Sequence, residues 1–183
     1  MSDLVPSDER LMQAVKAGSV PAFQALYDRH HGAVFAFVVG SLGDRSIAED
    51  LVQETFLRVF THREDYRPAA RFRTWLFTIA RNLLIDQLRR RGGDPEREAG
   101  EPADAVADPG ATPLQRAEAQ ELAERLQAAV LRLPPAQREV LLLSRFAGLT
   151  DEEVAVVTGA SPGAVRVALH RALRRLQELL GPL

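Results

Sequence analysis

The residues with the most obvious chemistry in this chain are arginines, and they come in blocks. Seven of them (67, 71, 73, 81, 89, 90 and 91) fall between Arg67 and Arg91 against one acid, Asp86. Four more (166, 171, 174 and 175) fall between Ser161 and Gln177 with no acid at all. Between the two lies a stretch from Asp94 to Asp108 with six acids and one arginine. A guanidinium offers a planar fork of donors that matches phosphate oxygens, so a local basic face marks a polyanion site even where the whole chain has a net charge of −2. Arginines also solvate ordinary helix faces, and either block taken alone suits that reading equally. Other chemistries find little support. No cysteine is present, which excludes a disulfide framework, a cysteine nucleophile and a thiolate metal site. His30-His31, His62 and His170 lack metal-ligand spacing with carboxylates, and no P-loop or nucleophile elbow appears. No catalytic residue, metal site or cofactor is assigned, and an enzyme is not expected.

The elements that must position these arginines are helical throughout, with no strand alternation. Ser7 suits the cap of a first helix, Asp8 to Ala17, ended by Gly18. Pro21 suits the first turn of a second helix running to about Val39, broken by Gly40 and Gly43. Ser46 and Glu49 have capping-box spacing for a helix to about Phe60. A polar turn, His62 to Arg71, leads to a long helix from about Phe72 to Arg91, which Gly92-Gly93 stops. Residues 93–113 are rich in Pro, Gly, Ala and acid, with Val106 the one large apolar residue. Such a segment buries too little to offset its ordering entropy and reads as a mobile acidic tether. Beyond it lie helices from about Leu114 to Leu131, from Pro134-Pro135 toward Gly148, from a Thr150–Glu153 capping box through Val157, and from Ser161-Pro162 to Gly181-Pro182. The expected fold is all-α: two small helical domains, residues 1–92 and 114–183, joined by the flexible acidic linker 93–113.

The last two helices have helix-turn-helix layout. A short helix, Asp151–Val157, meets a turn holding Gly159, and a longer helix starts at Pro162. Val154, Val157, Val165 and Leu169 suit a shared core. Arg166, His170, Arg171 and Arg174 share roughly one side of the final helix, whose N-terminal residues would reach base edges in a major groove. An ordinary hairpin with an arginine-rich face is the plainer alternative. In the first domain, Ala48, Leu51, Val52, Thr55, Phe56 and Val59 form a core stripe. Asp50, Gln53, Glu54 and Leu57 form a second stripe that suits a protein partner or plain surface equally. On the long helix, Trp75, Leu76, Ile79, Ala80, Leu83 and Leu88 face inward. Arg73, Phe77, Arg81, Asn82 and Arg89 face the other way, and arginines interleaved with aromatics suit single-stranded nucleic acid. On the residues alone, the plainer reading of Phe72 and Trp75 as core is the stronger one.

In this order, AEDLVQETFLRVF (48–60), FRTWLFTIARNLLIDQLRRR (72–91) and LPPAQREVLLL…GLTDEEVA…GASPGAVRVALHRAL (133–173) resemble the extracytoplasmic-function (ECF) sigma factors of the sigma-70 family. The resemblance covers nearly the whole chain and implies a protein that binds core RNA polymerase, directs it to promoters and helps open the duplex. It implies polymerase docking, on the clamp coiled coil and flap regions, through Asp50, Leu51, Gln53, Glu54, Leu57 and Arg58. It implies −10 DNA binding by Arg71, Phe72, Arg73, Trp75, Phe77, Arg81 and Asn82, with a flipped base captured as strands separate. It implies −35 recognition by Ser161, Pro162, Gly163, Arg166, Val167, His170, Arg171 and Arg174. An anti-sigma factor is an implied partner, and the implied location is the bacterial cytoplasm. MSDLVPSDER has no signal-peptide pattern, and no apolar run approaches the roughly 18 residues a bilayer span needs.

The chain departs from the family pattern at Val167, Ala168 and Leu173, where polar residues are usual. Fewer contacts to DNA and a more apolar face are expected there. Two other readings stay open on the residues alone: a free DNA-binding regulator with a signal-receiving or dimerisation domain, and a protein-binding adaptor.

Overall fold

The computed structural model describes residues 6–67, 71–92 and 112–181. Its first cluster holds α1 (Asp8–Lys16), α2 (Val20–Leu42), α3 (Arg45–Thr61), a single 3-10 turn (Arg63–Asp65) and α4 (Phe72–Arg90). Its second holds α5 (Pro113–Leu131), α6 (Pro135–Arg145), α7 (Asp151–Thr158) and α8 (Pro162–Leu180). The all-α expectation, with two helical clusters and a helix-turn-helix at the end, is what the structure shows. The tether read at 93–113 lies outside the described residues up to 111. Its last two residues, Thr112 and Pro113, instead open α5 through a capping box with Gln115.

Helix ends follow local chemistry with two corrections. Ser7 caps α1, accepting from the Arg10 amide at 3.3 Å, and Gly18 follows with φ 91°. α2 does not break at Gly40. It runs on to Leu42 and stops at Gly43, the glycine that adopts the left-handed conformation. Tertiary packing around Gly40 outweighs its modest helix penalty. α3 is capped by Asp44 rather than by the expected Ser46–Glu49 box: Asp44 Oδ1 accepts from the Ile47 amide at 3.1 Å, while Oδ2 takes Arg91 Nη2 at 2.7 Å. Burial alone would raise the Asp44 carboxyl, but the Ile47 amide and Arg91 outweigh it and hold the group below its ordinary value.

α4 has no side-chain cap of its own. Glu9 on α1 supplies one across the fold, accepting from the Phe72 amide at 3.4 Å. Tyr66, in the segment expected to be a polar turn, is wholly buried. Its ring centroid lies 6.2 Å from that of Phe72 and 5.3 Å from that of Trp75. Burial, then Glu9 and Asp8, push its phenol up to about 12. Phe77 also departs from expectation: it is fully buried, edge-on to Phe37 at 5.8 Å. α4 packs against α2 and α3 on one side and α7 on another, so two of its faces are inward and its period does not divide it into one core side and one free side.

The buried apolar residues of both clusters form one continuous core. α6 and α5 pack on α2, and α7 packs on α4. Gly40 is a point of close approach. A Cβ there would lie 2.7 Å from a Leu142 methyl, so any larger residue would require the α6 side chain to shift.

His30 lies in the first core at 3% exposure, its Nε2 2.8 Å from Asp8 Oδ2. Burial lowers its pKa below 6.5 despite the opposing pull of Asp8. The unfolded chain therefore binds the His30 proton more readily, so the contribution of this residue is fully present above pH 6.5 and is lost as pH falls below it. Urea denaturation of wild type and His30→Gln from pH 7.5 to 5 should show a steeper stability loss in wild type. The excess is bounded by about 1.4 kcal/mol per pH unit, the value for one proton. Parallel profiles would refute it.

Candidate polymerase and nucleic-acid interface

Three exposed surfaces carry the residues singled out in the sequence. On α3 the inward stripe is as expected, with Ala48, Leu51, Val52, Thr55, Phe56 and Val59 all buried. Leu51, grouped with the docking residues, therefore lies beneath that surface. The second stripe is outside: Asp50 and Gln53 are exposed, Glu54 is half-buried and Leu57 is 55% exposed. Glu54 Oε1 accepts from Arg58 Nε at 2.9 Å, an i,i+4 pair along the helix. A large apolar side chain held in water among carboxylates is a recognisable protein-contact feature.

On α4 the expected nucleic-acid residues divide. Arg71 and Asn82 are exposed, while Arg73, Trp75 and Arg81 are half-buried. Phe72 and Phe77 are wholly buried and present no ring face for a base to stack on. The three arginines also have neighbours in the second cluster: Glu153 for Arg71, Gly148 for Arg73 and Glu139 for Arg81.

On α7 and α8 the geometry is that of a helix-turn-helix. Thr150 and Glu153 complete a reciprocal capping box at the start of α7, with donor–acceptor distances of 2.8 and 3.3 Å. Gly159 turns the chain with φ 74°, and Ser161 caps α8 by accepting from the Ala164 amide at 3.2 Å. Val154, Ala155, Val157 and Val165 are buried between the helices, with Leu169 partly so. Outside lie Ser161, Gly163, Arg166, Val167, His170, Arg171 and Arg174, with Pro162 half-buried. Arg166 Nη1 is 4.0 Å from Asp151 Oδ2, a loose exposed pair that leaves the guanidinium available. Val167 is 50% exposed, and Val156 on α7 is 70% exposed.

Comparison with known proteins agrees with this geometry. The family described as Sigma-70 region 2 matches residues 26–93, and Sigma-70 region 4 matches residues 123–176. The RNA polymerase sigma factor CarQ of Myxococcus xanthus is 37% identical over 94% of this chain and 97% of its own. The chain belongs to the ECF sigma factors of the sigma-70 family. The ECF sigma factor SigW of Bacillus subtilis is 28% identical over 94% of this chain and 96% of its own. Two solved relatives share the fold of this ECF sigma factor. CnrH, in complex with the cytosolic domain of CnrY, gives a TM-score of 0.69 at 29% identity, covering 96% of this chain and 97% of that one. RpoE of Bartonella quintana, in complex with the anti-sigma factor NepR, gives 0.71 at 28% identity, covering 88% and 98%.

Sigma factors direct transcription and are not enzymes. Among the described residues of this one there is no cluster of three or more metal-ligating side chains, and no helix is long and apolar enough to cross a membrane. Two residues that sequence reasoning left without a role are Arg138 and Glu139. They sit inside a segment quoted for its family likeness, but nothing in their spacing signals that they face the other cluster.

The left-handed turn gives a direct test of the helix-turn-helix. No neighbouring atom lies within 4 Å of a Cβ at Gly159, so the whole cost of substitution there is backbone strain. Gly159→Ala should destabilise the fold by about 1–2 kcal/mol in chemical denaturation, and Gly159→Asn by less, since Asn tolerates this conformation. Equal costs for both would show that strain is not the cause.

Proposed function

We propose that this sigma factor binds core RNA polymerase through the outer face of α3, with Asp50, Gln53, Glu54, Leu57 and Arg58 in contact and Leu51 as support from below. In this reading the polymerase-bound chain reads two promoter elements. The −10 region falls to Arg71, Arg73, Trp75, Arg81 and Asn82 of the α4 segment. Their cations hold the backbone while unpaired bases are taken up. The −35 region falls to the start of α8, where Ser161 and Gly163 approach the backbone, and Arg166, Val167, His170, Arg171 and Arg174 face the groove. The observation that carries the proposal is the accessible, acid-free outer face at the start of α8, the second helix of a capped helix-turn-helix, in a chain that also bears the α3 stripe.

An anti-sigma factor is the second partner we infer, supported by RpoE of Bartonella quintana, a relative solved in complex with the anti-sigma factor NepR. A cytoplasmic site of action follows from dependence on the polymerase.

Two paired variants test the proposal in vitro. Asp50→Ala with Glu54→Ala should weaken core polymerase binding at least about tenfold, since a docking surface concentrates its energy in a few residues. Arg166→Ala with Arg171→Ala should leave polymerase binding intact and reduce promoter-dependent run-off transcription, at about 1–3 kcal/mol for each base-reading arginine removed. Polymerase binding unchanged by the first pair would refute the docking face. Strong sequence-specific binding of duplex DNA by the chain alone would favour a free regulator instead.

A further inference from the structure

α1 carries none of the residues assigned to the polymerase or to DNA, yet it holds the start of α4 from two directions. At its N-terminal end, Glu9 Oε1 accepts from the Phe72 amide at 3.4 Å. Beside it, Asp8 Oδ2 lies 2.8 Å from His30 Nε2, and the centroid of the His30 ring lies 5.5 Å from that of Phe72. At the C-terminal end, Lys16 Nζ donates to the carbonyls of Glu64 and Tyr66, both at 3.2 Å. Tyr66 in turn packs its buried ring against Phe72 and Trp75. One short helix therefore fixes the chain before α4, at Tyr66, and the first residue of α4, at Phe72.

Electrostatics favour the same arrangement. Arg71 is the N-cap residue of α4, Arg73 is its second residue, and the first turn holds no acid. Two cations there face the positive end of the helix dipole, which carboxylates favour and guanidiniums do not. Asp8 and Glu9 line one cleft with Arg71 and Arg73, so the negative charge that this helix end lacks arrives from α1. Arg29, which also lines the cleft, is paired with Asp8. Leu11, Met12 and Val15 are the buried face of α1. Their burial explains why α1 packs, but not why polar groups at both of its ends reach the same segment.

We propose that α1 is a positioning element for the −10 surface: Glu9 caps α4 in trans, Lys16 anchors Tyr66, and together they set where Arg71, Arg73 and Trp75 point. This rests on the reading of the α4 segment as the −10 surface. An uncapped first turn leaves its amides unsatisfied and its side chains loosely held, whereas capture of unpaired bases needs side chains already in place.

Promoter opening by the holoenzyme tests this. Core polymerase is loaded with each variant and given a promoter that the wild-type holoenzyme selects from a random library. Permanganate reactivity of unpaired thymines reads the opened fraction, polymerase affinity is measured in parallel, and urea curves set a temperature at which every variant is folded. Glu9→Ala and Lys16→Met should each lower the opened fraction about fivefold, the factor of one lost cap or hydrogen bond, with polymerase affinity unchanged. Glu9→Gln keeps an acceptor and should recover most of the loss. Leu11→Ala thins the buried face of α1 without touching either contact, and should open the promoter as wild type does. Wild-type opening in folded Glu9→Ala and Lys16→Met overturns the proposal. So does a loss that Glu9→Gln fails to recover or that Leu11→Ala shares, since α1 is then a stabilising helix and nothing more. Arg71→Ala with Arg73→Ala, run alongside, tests the reading beneath. Full opening without those arginines refutes the −10 assignment, whereas reduced opening there with wild-type opening in the α1 variants refutes positioning alone.

Discussion

The arrangement of the two helical halves depends on a buried cation at the ends of two helices. Arg138 is 7% exposed and pairs with no carboxylate among the described residues, and burial pushes its guanidinium below its ordinary pKa. An unpaired buried charge is among the costliest features a protein can hold. Here it is met by carbonyls at helix ends. Ser41 is the penultimate residue of α2, and Leu133 follows the end of α5. The C-terminus of α2 presents acceptors that the helix itself leaves unsatisfied, together with the negative end of its dipole, so the guanidinium at Ser41 serves both, while the Leu133 carbonyl meets it from the link between α5 and α6. One residue of α6 thereby ties together the end of its preceding helix and the end of a helix nearly a hundred positions earlier.

That tie explains several nearby features as a set. α6 can lie on α2 at the depth of Arg138 only if the two backbones approach closely, and Gly40 permits this by receiving Leu142. With α6 placed, α7 falls across α4, which brings Glu139 to Arg81 and Glu153 to Arg71. Arg73 is then covered by the turn at Gly148, whose φ of 62° suits glycine. Ion pairs at such margins contribute little each and are weakened by salt, so the apolar centre and Arg138 hold the arrangement while the charges select its register.

The legibility of individual elements tracks the range of the interactions that made them. Ser7, Ser161 and the Thr150–Glu153 box act within three residues, and each is readable from spacing. The α3 core stripe is readable too, because one helix face meets one core. Where two signals compete, the longer-range one decides. Gly40 has the character of a breaker and is a packing contact; Ser46 has the character of a cap and yields to Asp44, which Arg91 also holds. Tyr66 belongs by composition to a polar turn and fills the space between Phe72 and Trp75. Phe77 reads as outward only if α4 has a single inward face, whereas this helix has packing on more than one side.

The arginine blocks are visible in composition alone, as is their placement on helices, because charge and periodicity are properties of the chain. The sequence by itself also determined the helix-turn-helix, through caps and a turn glycine that need no distant partner, and the family, through segments that keep their order and spacing. Only the tertiary structure decided which arginines have residues of the other cluster beside them. Those of α8 face outward, whereas Arg71, Arg73 and Arg81 meet Glu153, Gly148 and Glu139. Those meetings join residues roughly 60 to 80 positions apart, and such pairs depend on how α6 and α7 pack rather than on any local preference. Packing of that kind is set by shape at Gly40 and by the desolvated Arg138, and neither leaves a periodic mark in the sequence.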